Sequence, residues 1–416
     1  MNSRALLPAR SLASRPLTVA ALLALALSAC RGPASLGPSG GGWVGTWATS
    51  PQLTEPANLP PEPGLTGNTL RQVVHVSIGG TRVRVHFSNE FGSSPVELRA
   101  AHLAVSLGAG AIEPATDTPL RFDGQSSVTI PAGGTATSDP LPFPVPPLSD
   151  LAITITFGAT SPAVSGHPGS RTTSYLVAGG GAGATILLGA ARADHWYIIK
   201  GIDVAAEGAG AVVTLGNSIT DGRGSGTNRQ NRWPDELARR LQSDPSTARI
   251  AVQNAGIGGN CVLRACLGPA GLERFDRDVL DRAGVRWLII LEGVNDIGGA
   301  RGAEASEAVA RGLIDAYQQM VTRAHARGIR VYGATILPFG ESFYDSPEHE
   351  AARRTVNEWI RTSGAFDAVI DFDAALRDPA NPTHLLPAAD TGDHLHPNEE
   401  GYRRMAAAID LALFTK

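Results

Sequence analysis

Lysine is nearly missing from this chain: of its 35 basic residues only Lys200 and Lys416 are lysines, and the rest are arginines. We read that bias as coding preference without chemical consequence. No run of basic residues occurs, and the formal net charge is −4. A mildly acidic chain without a basic stripe lacks the electrostatic footprint that holds nucleic acid. It becomes more acidic still once a leader carrying Arg4, Arg10 and Arg15 is removed. Cysteine is scarce too, at three residues, and two cysteines without a histidine nearby in sequence make a poor metal site. No internal repeat of fixed period occurs. What is present is 43% hydrophobic against 18% charged residues, the balance of a packed globular protein. Glycine (48) and proline (29) are abundant, so turns should be plentiful. The 416 residues suffice for two ordinary domains after a leader is removed.

The chain opens with arginines, then an apolar run over 17–29, then Cys30. This is the charged and apolar order of a secretory signal, and the run is too short for a bilayer span of ~20 residues. Leu27-Ser28-Ala29-Cys30 resembles a bacterial lipobox. That resemblance implies a signal peptide over 1–29 and lipidation of Cys30. The alternative is an ordinary signal peptide cut nearby, with Cys30 incidental. Residues 30–42, rich in glycine, proline and serine, read as a flexible tether. The expectation is an exported protein held at the cell envelope, periplasmic or surface, by a lipid anchor alone. Export implies an oxidising compartment, so Cys261 and Cys266, five apart in one loop, are expected to form a disulfide. Two buried free thiols are the alternative.

Residues 43–206 read as short strands separated by Gly, Pro and Asp clusters. Over 82–87, Val83, Val85 and Phe87 alternate with Arg82, Arg84 and His86, which puts the apolar three on one face. The strand-like run 70–76 precedes it, and Gly79-Gly80 between them reads as a hairpin turn. Further runs at 96–107, 127–130 and 151–157 complete a β-sandwich or jelly-roll domain. After Gly208 the pattern changes. Apolar runs at 211–215, 249–253, 286–291, 330–336 and 368–372 alternate with helical patterns. Val309, Leu313, Tyr317, Met320 and Ala324 share one helical face, and Val356, Trp359 and Ile360 another. Residues 207–416 are therefore expected to form an α/β domain with a parallel sheet covered on both sides.

Active sites of such sheets lie beyond the carboxyl ends of the strands, and four polar constellations fall there. Gly216-Asn217-Ser218 follows the first strand and places a serine in a strand-to-helix turn; a helix N-cap is the bland reading. Asn254 through Asn260 follows the second and carries Gly259 among glycines that expose backbone N–H donors, or simply make a tight turn. Asn295 and Asp296 follow the third, as an oxyanion donor or as turn residues. Asp393-His394-Leu395-His396 precedes the last helix and can set carboxylate against imidazole. A metal site there would need ligands that no other segment supplies.

Together and in this order the four blocks resemble the SGNH hydrolases, the GDSL lipase/esterase superfamily, in a two-domain secreted bacterial form. The resemblance covers roughly residues 209–413. It implies a flavodoxin-like three-layer domain, Ser218 as nucleophile, His396 as base oriented by Asp393, and an oxyanion hole of Ser218, Gly259 and Asn295. It implies no metal and no cofactor. His394 is then an ordinary loop histidine. One departure is Asn217, where the family usually has Asp. Residues 43–51 and 87–92 look like the lead domain of larger bacterial SGNH esterases. The expected substrate is a small-molecule or polysaccharide ester, short-chain or O-acetylated. The alternatives are a lipase or lysophospholipase, and an inactive surface-anchored binding protein. The loop 338–344 either walls a pocket or packs the domains together. Trp43, Trp47 and Phe91 are expected in packing more than in sugar stacking.

Overall fold

The computed structural model describes residues 42–415; the leader, Cys30 and most of the tether lie outside them. Five strands, Gly210–Gly216, Ile250–Gly256, Val285–Leu291, Arg330–Ala334 and Ala368–Ile370, form one parallel sheet. The first strand lies between the second and third, and the fourth and fifth follow on the far side. Every residue of Gly210–Gly216 is buried, as expected of a strand with both faces covered. Alternation along it is still visible. Val213 and Leu215 enter a core with Leu313, Tyr317, Met320, Val356 and Ile360 of helices Gly302–His325 and Pro347–Thr362. Val212 enters the opposite core, with Trp233, Leu237, Tyr402 and Met405 of helices Trp233–Ser243 and Glu399–Ala407. The helices start where their chemistry directs. Pro347 opens one behind Ser346, whose Oγ accepts the His349 N–H at 3.1 Å.

The N-terminal half is mainly antiparallel. Trp43–Ala48, Ile199–Ala205, Gly80–Ser88 and Leu141–Val145 make one sheet. Ser174–Val177, Thr69–His75, Asp150–Phe157 and Val96–Gly108 run through another. Val83, Val85 and Phe87 face Leu70, Leu103 and Ile153 across a shared core. Truncating a buried ring such as Phe87 to alanine should cost about 3–5 kcal/mol.

The hairpin expected at Gly79-Gly80 does not form. Thr69–His75 pairs with Asp150–Phe157 and Ser174–Val177, whereas Gly80–Ser88 pairs with Ile199–Ala205 and Leu141–Val145. The segment between them crosses from one sheet to the other, tied down by the Ser77 N–H to Thr46 O bond at 3.0 Å. Gly79 serves close approach, not a turn: a Cβ there would lie 2.3 Å from the Val145 carbonyl oxygen.

The two halves adjoin along Trp43–Ala48. Gly45 N–H donates to Ala283 O at 3.0 Å, and Val252 N–H donates to Ser77 Oγ at 3.0 Å. Ala209, Ala211 and Ala251 of the parallel-sheet half belong to the N-terminal core. Trp47 packs edge-on to Trp196 with ring centroids 4.9 Å apart. Trp43 lies under the Arg84 guanidinium and Phe91 under that of Arg277, so all three aromatics serve packing. Among the described residues no helix is long and apolar enough to cross a membrane.

Candidate active site

The strand Gly210–Gly216 ends against its neighbours so tightly that a Cβ on Gly216 would lie 2.1 Å from Thr220 Oγ1. The chain then turns into the short helix Ser218–Asp221. Asn217, not Ser218, is the cap: its Oδ1 accepts the Ile219 N–H at 3.1 Å. Ser218 is thereby the first helical residue, only 6% exposed. Its Oγ lies 2.8 Å from His396 Nε2.

His396 is held from behind. Its Nδ1 donates to Asp393 Oδ2 at 2.7 Å, and its backbone N–H donates to Asp393 Oδ1 at 2.9 Å. Thr391 Oγ1 donates to the same Oδ1 at 2.9 Å. Burial alone would raise the Asp393 carboxyl, but these donors and the His396 ring hold it well below the usual carboxylate range. Burial pushes His396 down, with the Arg223 and Arg171 charges adding to that, against the pull of Asp393. The ring is therefore neutral at neutral pH, with Nδ1 protonated and Nε2 free to accept the serine hydroxyl. His394 is directed elsewhere. Its Nδ1 bonds Asp390 Oδ2 at 2.8 Å from a left-handed backbone of φ 60°.

The donor groups converge on the same place. Ser218, Gly259, Asn295 and His396 line one cleft of about 480 Å³. Gly259 has φ 68°, a conformation that favours glycine. No described residue accepts from the backbone N–H of Ser218 or Gly259. Asn295 Nδ2 donates to Asn260 O at 2.7 Å, and its Oδ1 accepts Tyr344 OH at 3.1 Å. The amide is thus oriented, with its second N–H still to give. Asp296 accepts the N–H groups of Val262 and Leu263 at 2.8 and 3.0 Å. This pins the loop that the Cys261–Cys266 disulfide closes.

Several residues of the site are not among those that the sequence motifs single out. Arg274, with no exposed side chain, is the largest of these. It donates to Gly216 O at 3.0 Å, Ala255 O at 2.7 Å, Asn260 Oδ1 at 2.9 Å and Ser50 Oγ at 3.3 Å, and it pairs with Asp278 and Glu292. One guanidinium thus ties the ends of two strands, the glycine loop and the N-terminal half together. Glu292 accepts the Asn217 amide at 3.3 Å and the Gly293 N–H at 3.2 Å. Burial pushes its carboxyl up to about 8. An Asp at position 217 would set a second acid against it, whereas Asn217 supplies a donor. At the end of the helix that Ser218 opens, Asp221 accepts from His167 Nε2 at 2.8 Å. The cleft walls also come from the N-terminal half, through Gln52, Glu55, Asn58, Arg171 and His195. Phe343 and Tyr344 add to the wall, while Phe339 is buried in the core.

Residues 214–404 match the model of the GDSL-like lipase/acylhydrolase family. That segment carries a GDSL-like acylhydrolase domain, of the kind found in the SGNH hydrolases, and with it the activity of a carboxylic ester hydrolase. No curated protein matches the chain. Among solved structures, the chain is similar to a putative lipolytic protein of the G-D-S-L family from Desulfitobacterium hafniense. Identity is 25%, over 48% of this chain and 96% of that one, at a TM-score of 0.36. It is also similar to a carbohydrate acetylesterase from Sinorhizobium meliloti, at 16% identity over 49% and 99% of the two chains and a TM-score of 0.38. An acetyl xylan esterase matches at 20% identity over 48% and 96%, at a TM-score of 0.36.

Proposed function

We propose that this hydrolase cleaves short-chain or carbohydrate O-acetyl esters through an acyl-enzyme on Ser218. His396 Nε2 takes the serine proton as Oγ attacks the ester carbonyl. Asp393 holds the ring in the required tautomer and stabilises the imidazolium. The N–H groups of Ser218 and Gly259 and the Asn295 amide receive the oxyanion. The imidazolium then protonates the leaving alcohol. A water deprotonated by His396 attacks the acyl carbon and releases the acid with Ser218 regenerated. The scheme uses no metal or cofactor.

The observation that carries this reading is the unbroken chain of contacts Asp393–His396–Ser218, at 2.7 and 2.8 Å, opening into a cleft with two unengaged backbone donors. The polar wall of Gln52, Asn58 and His195 supports a sugar or other polar alcohol. A second reading, a lipase or lysophospholipase, is favoured by Leu267 and Phe343, which line the cleft yet remain 49% and 74% exposed. A fluorophosphonate probe tests the chemistry: it should label the protein at Ser218, and Ser218→Ala should abolish both labelling and ester hydrolysis. A folded wild type that resists the probe would instead be a binding protein on a retired hydrolase frame. Rates on acetyl against long-chain esters separate the two substrate readings.

The proposal extends to organisation. Residues 43–206 are a β-sandwich domain and 207–416 a flavodoxin-like hydrolase domain, exported and anchored through lipid on Cys30. Metabolic labelling with a fatty-acid analogue, lost in Cys30→Ala, checks the anchor; unlabelled wild type overturns it.

A further inference from the structure

Arg171 reaches the cleft from the N-terminal half, and its position is built. Its φ is 50°, in the left-handed region that a non-glycine residue adopts at a cost. The segment is clamped from the other half. Asn228 N–H donates to Arg171 O at 2.8 Å, Asn228 Oδ1 accepts the Thr173 N–H at 2.8 Å, and Arg232 donates to Ser170 O. Such clamping would suit an arginine with an internal partner, yet it has none. Among the described residues no carboxylate lies within ion-pair distance of its guanidinium, and its buried Nε donates to nothing. An unpaired buried donor on a cation is costly.

Arg171 is not alone. Arg223 lines the same cleft, with Nε 3.9 Å from Asp393 Oδ2 and an exposed side chain. Both charges act on His396. Of the acids that share the cleft, Glu55 accepts from Gln52 Nε2 at 2.7 Å and Asn58 Nδ2 at 3.0 Å, and Asp221 Oδ1 bonds His167 while its buried Oδ2 has no partner among the described residues. The arginines thus mark the His396 side of the cleft. Leu267 packs against Gly259 and Tyr344 bonds Asn295, so the apolar rim marks the oxyanion side.

In acyl transfer the leaving alcohol departs toward the base that protonates it. We infer that Arg171, with Arg223 beside it, binds a carboxylate on the alcohol portion of the ester, so that the substrate class is an acylated acidic sugar or a similar hydroxy acid. A guanidinium fork suits a carboxylate, and such charge-assisted bonds are the stronger kind. The inference rests on the ester-hydrolase reading above.

The test compares kcat/KM on O-acetylglucuronate with that on O-acetylglucose, using 4-nitrophenyl acetate as a charge-free reference. The wild type should prefer the acidic sugar by roughly tenfold or more, expressed in KM. Arg171→Asn, whose residue type tolerates a left-handed backbone, should bring the ratio near one, and Arg171→Lys should restore part of it. The wild-type preference should also shrink in about 1 M salt, where the Debye length is roughly 3 Å. A wild type that turns over 4-nitrophenyl acetate without preferring the acidic sugar overturns the inference and leaves the esterase reading standing. So does a preference that survives Arg171→Asn, or, should that variant misfold, one insensitive to salt. A wild type inert on all three substrates removes the esterase reading itself.

Discussion

The two halves of the molecule contribute to one cleft in different ways. The parallel-sheet half delivers Ser218, Gly259 and Asn295 from three successive strand ends, each within a few residues of its strand. The N-terminal half delivers Gln52 from a two-residue strand and Glu55, Asn58, Arg171 and His195 from connections between strands, more than a hundred residues apart at the extremes. Groups proposed to meet a reacting atom within hydrogen-bond distance sit on short turns fixed by a largely buried sheet. Groups that need only border the substrate sit on longer connections. On the proposed function, one half governs rate and the other recognition.

Four substitutions probe that division, three ranked from the largest effect down and His394→Ala as a control beside the first. His396→Ala should lower kcat by about 10⁶-fold, as loss of a base acting in concert with its nucleophile does elsewhere. His394→Ala, two residues away but bonded to Asp390, should change it less than about threefold. In the wild type, activity should be full where His396 is neutral and fall as pH drops through its pKa. Because burial lowers that pKa, the midpoint of the acid limb should lie below the ordinary value of 6.5. A midpoint above 6.5 would contradict the geometry. Next, Arg274→Met removes one member of a buried ionic cluster. It should cost about 3–5 kcal/mol in urea unfolding and reduce kcat with little change in KM. Stability lost without any change in kcat would make Arg274 purely structural. Smallest is Gln52→Ala, from the N-terminal half. It should raise KM for a sugar ester a few-fold, about the worth of one neutral hydrogen bond, and leave kcat within about twofold. A kcat loss rivalling that of Arg274→Met would erase the division between the halves.

The legibility of the sequence follows the same line. Ser218, Gly259, Asn295, Asp393 and His396 stand beside strand ends or helix starts, where period and punctuation are easily read. The structure places all but Asp393 among the residues lining one cleft, with Asp393 directly behind His396. Arg274 was hidden because an arginine amid Glu273, Asp276 and Arg277 looks solvated, and nothing local reveals that it is buried. Glu292 did carry a signal, a carboxylate directly after the apolar run 287–291. Arg171 gave none, because its position depends on Asn228 and Arg232, which are distant in sequence. The hairpin failed for a similar reason. Gly79-Gly80 is a fair local turn signal, but the partner of each strand is chosen by its buried face, and those faces belong to opposite sheets.

The apolar seam in which Ala209, Ala211 and Ala251 pack with the side chains of the antiparallel sheets has a further consequence. Neither portion can be melted or cut away without wetting hydrocarbon that belongs to the other. Heat or urea should therefore dissolve the whole body in a single cooperative step. A fragment carrying only the serine and the histidine would begin life with an adhesive flank and half its basin missing.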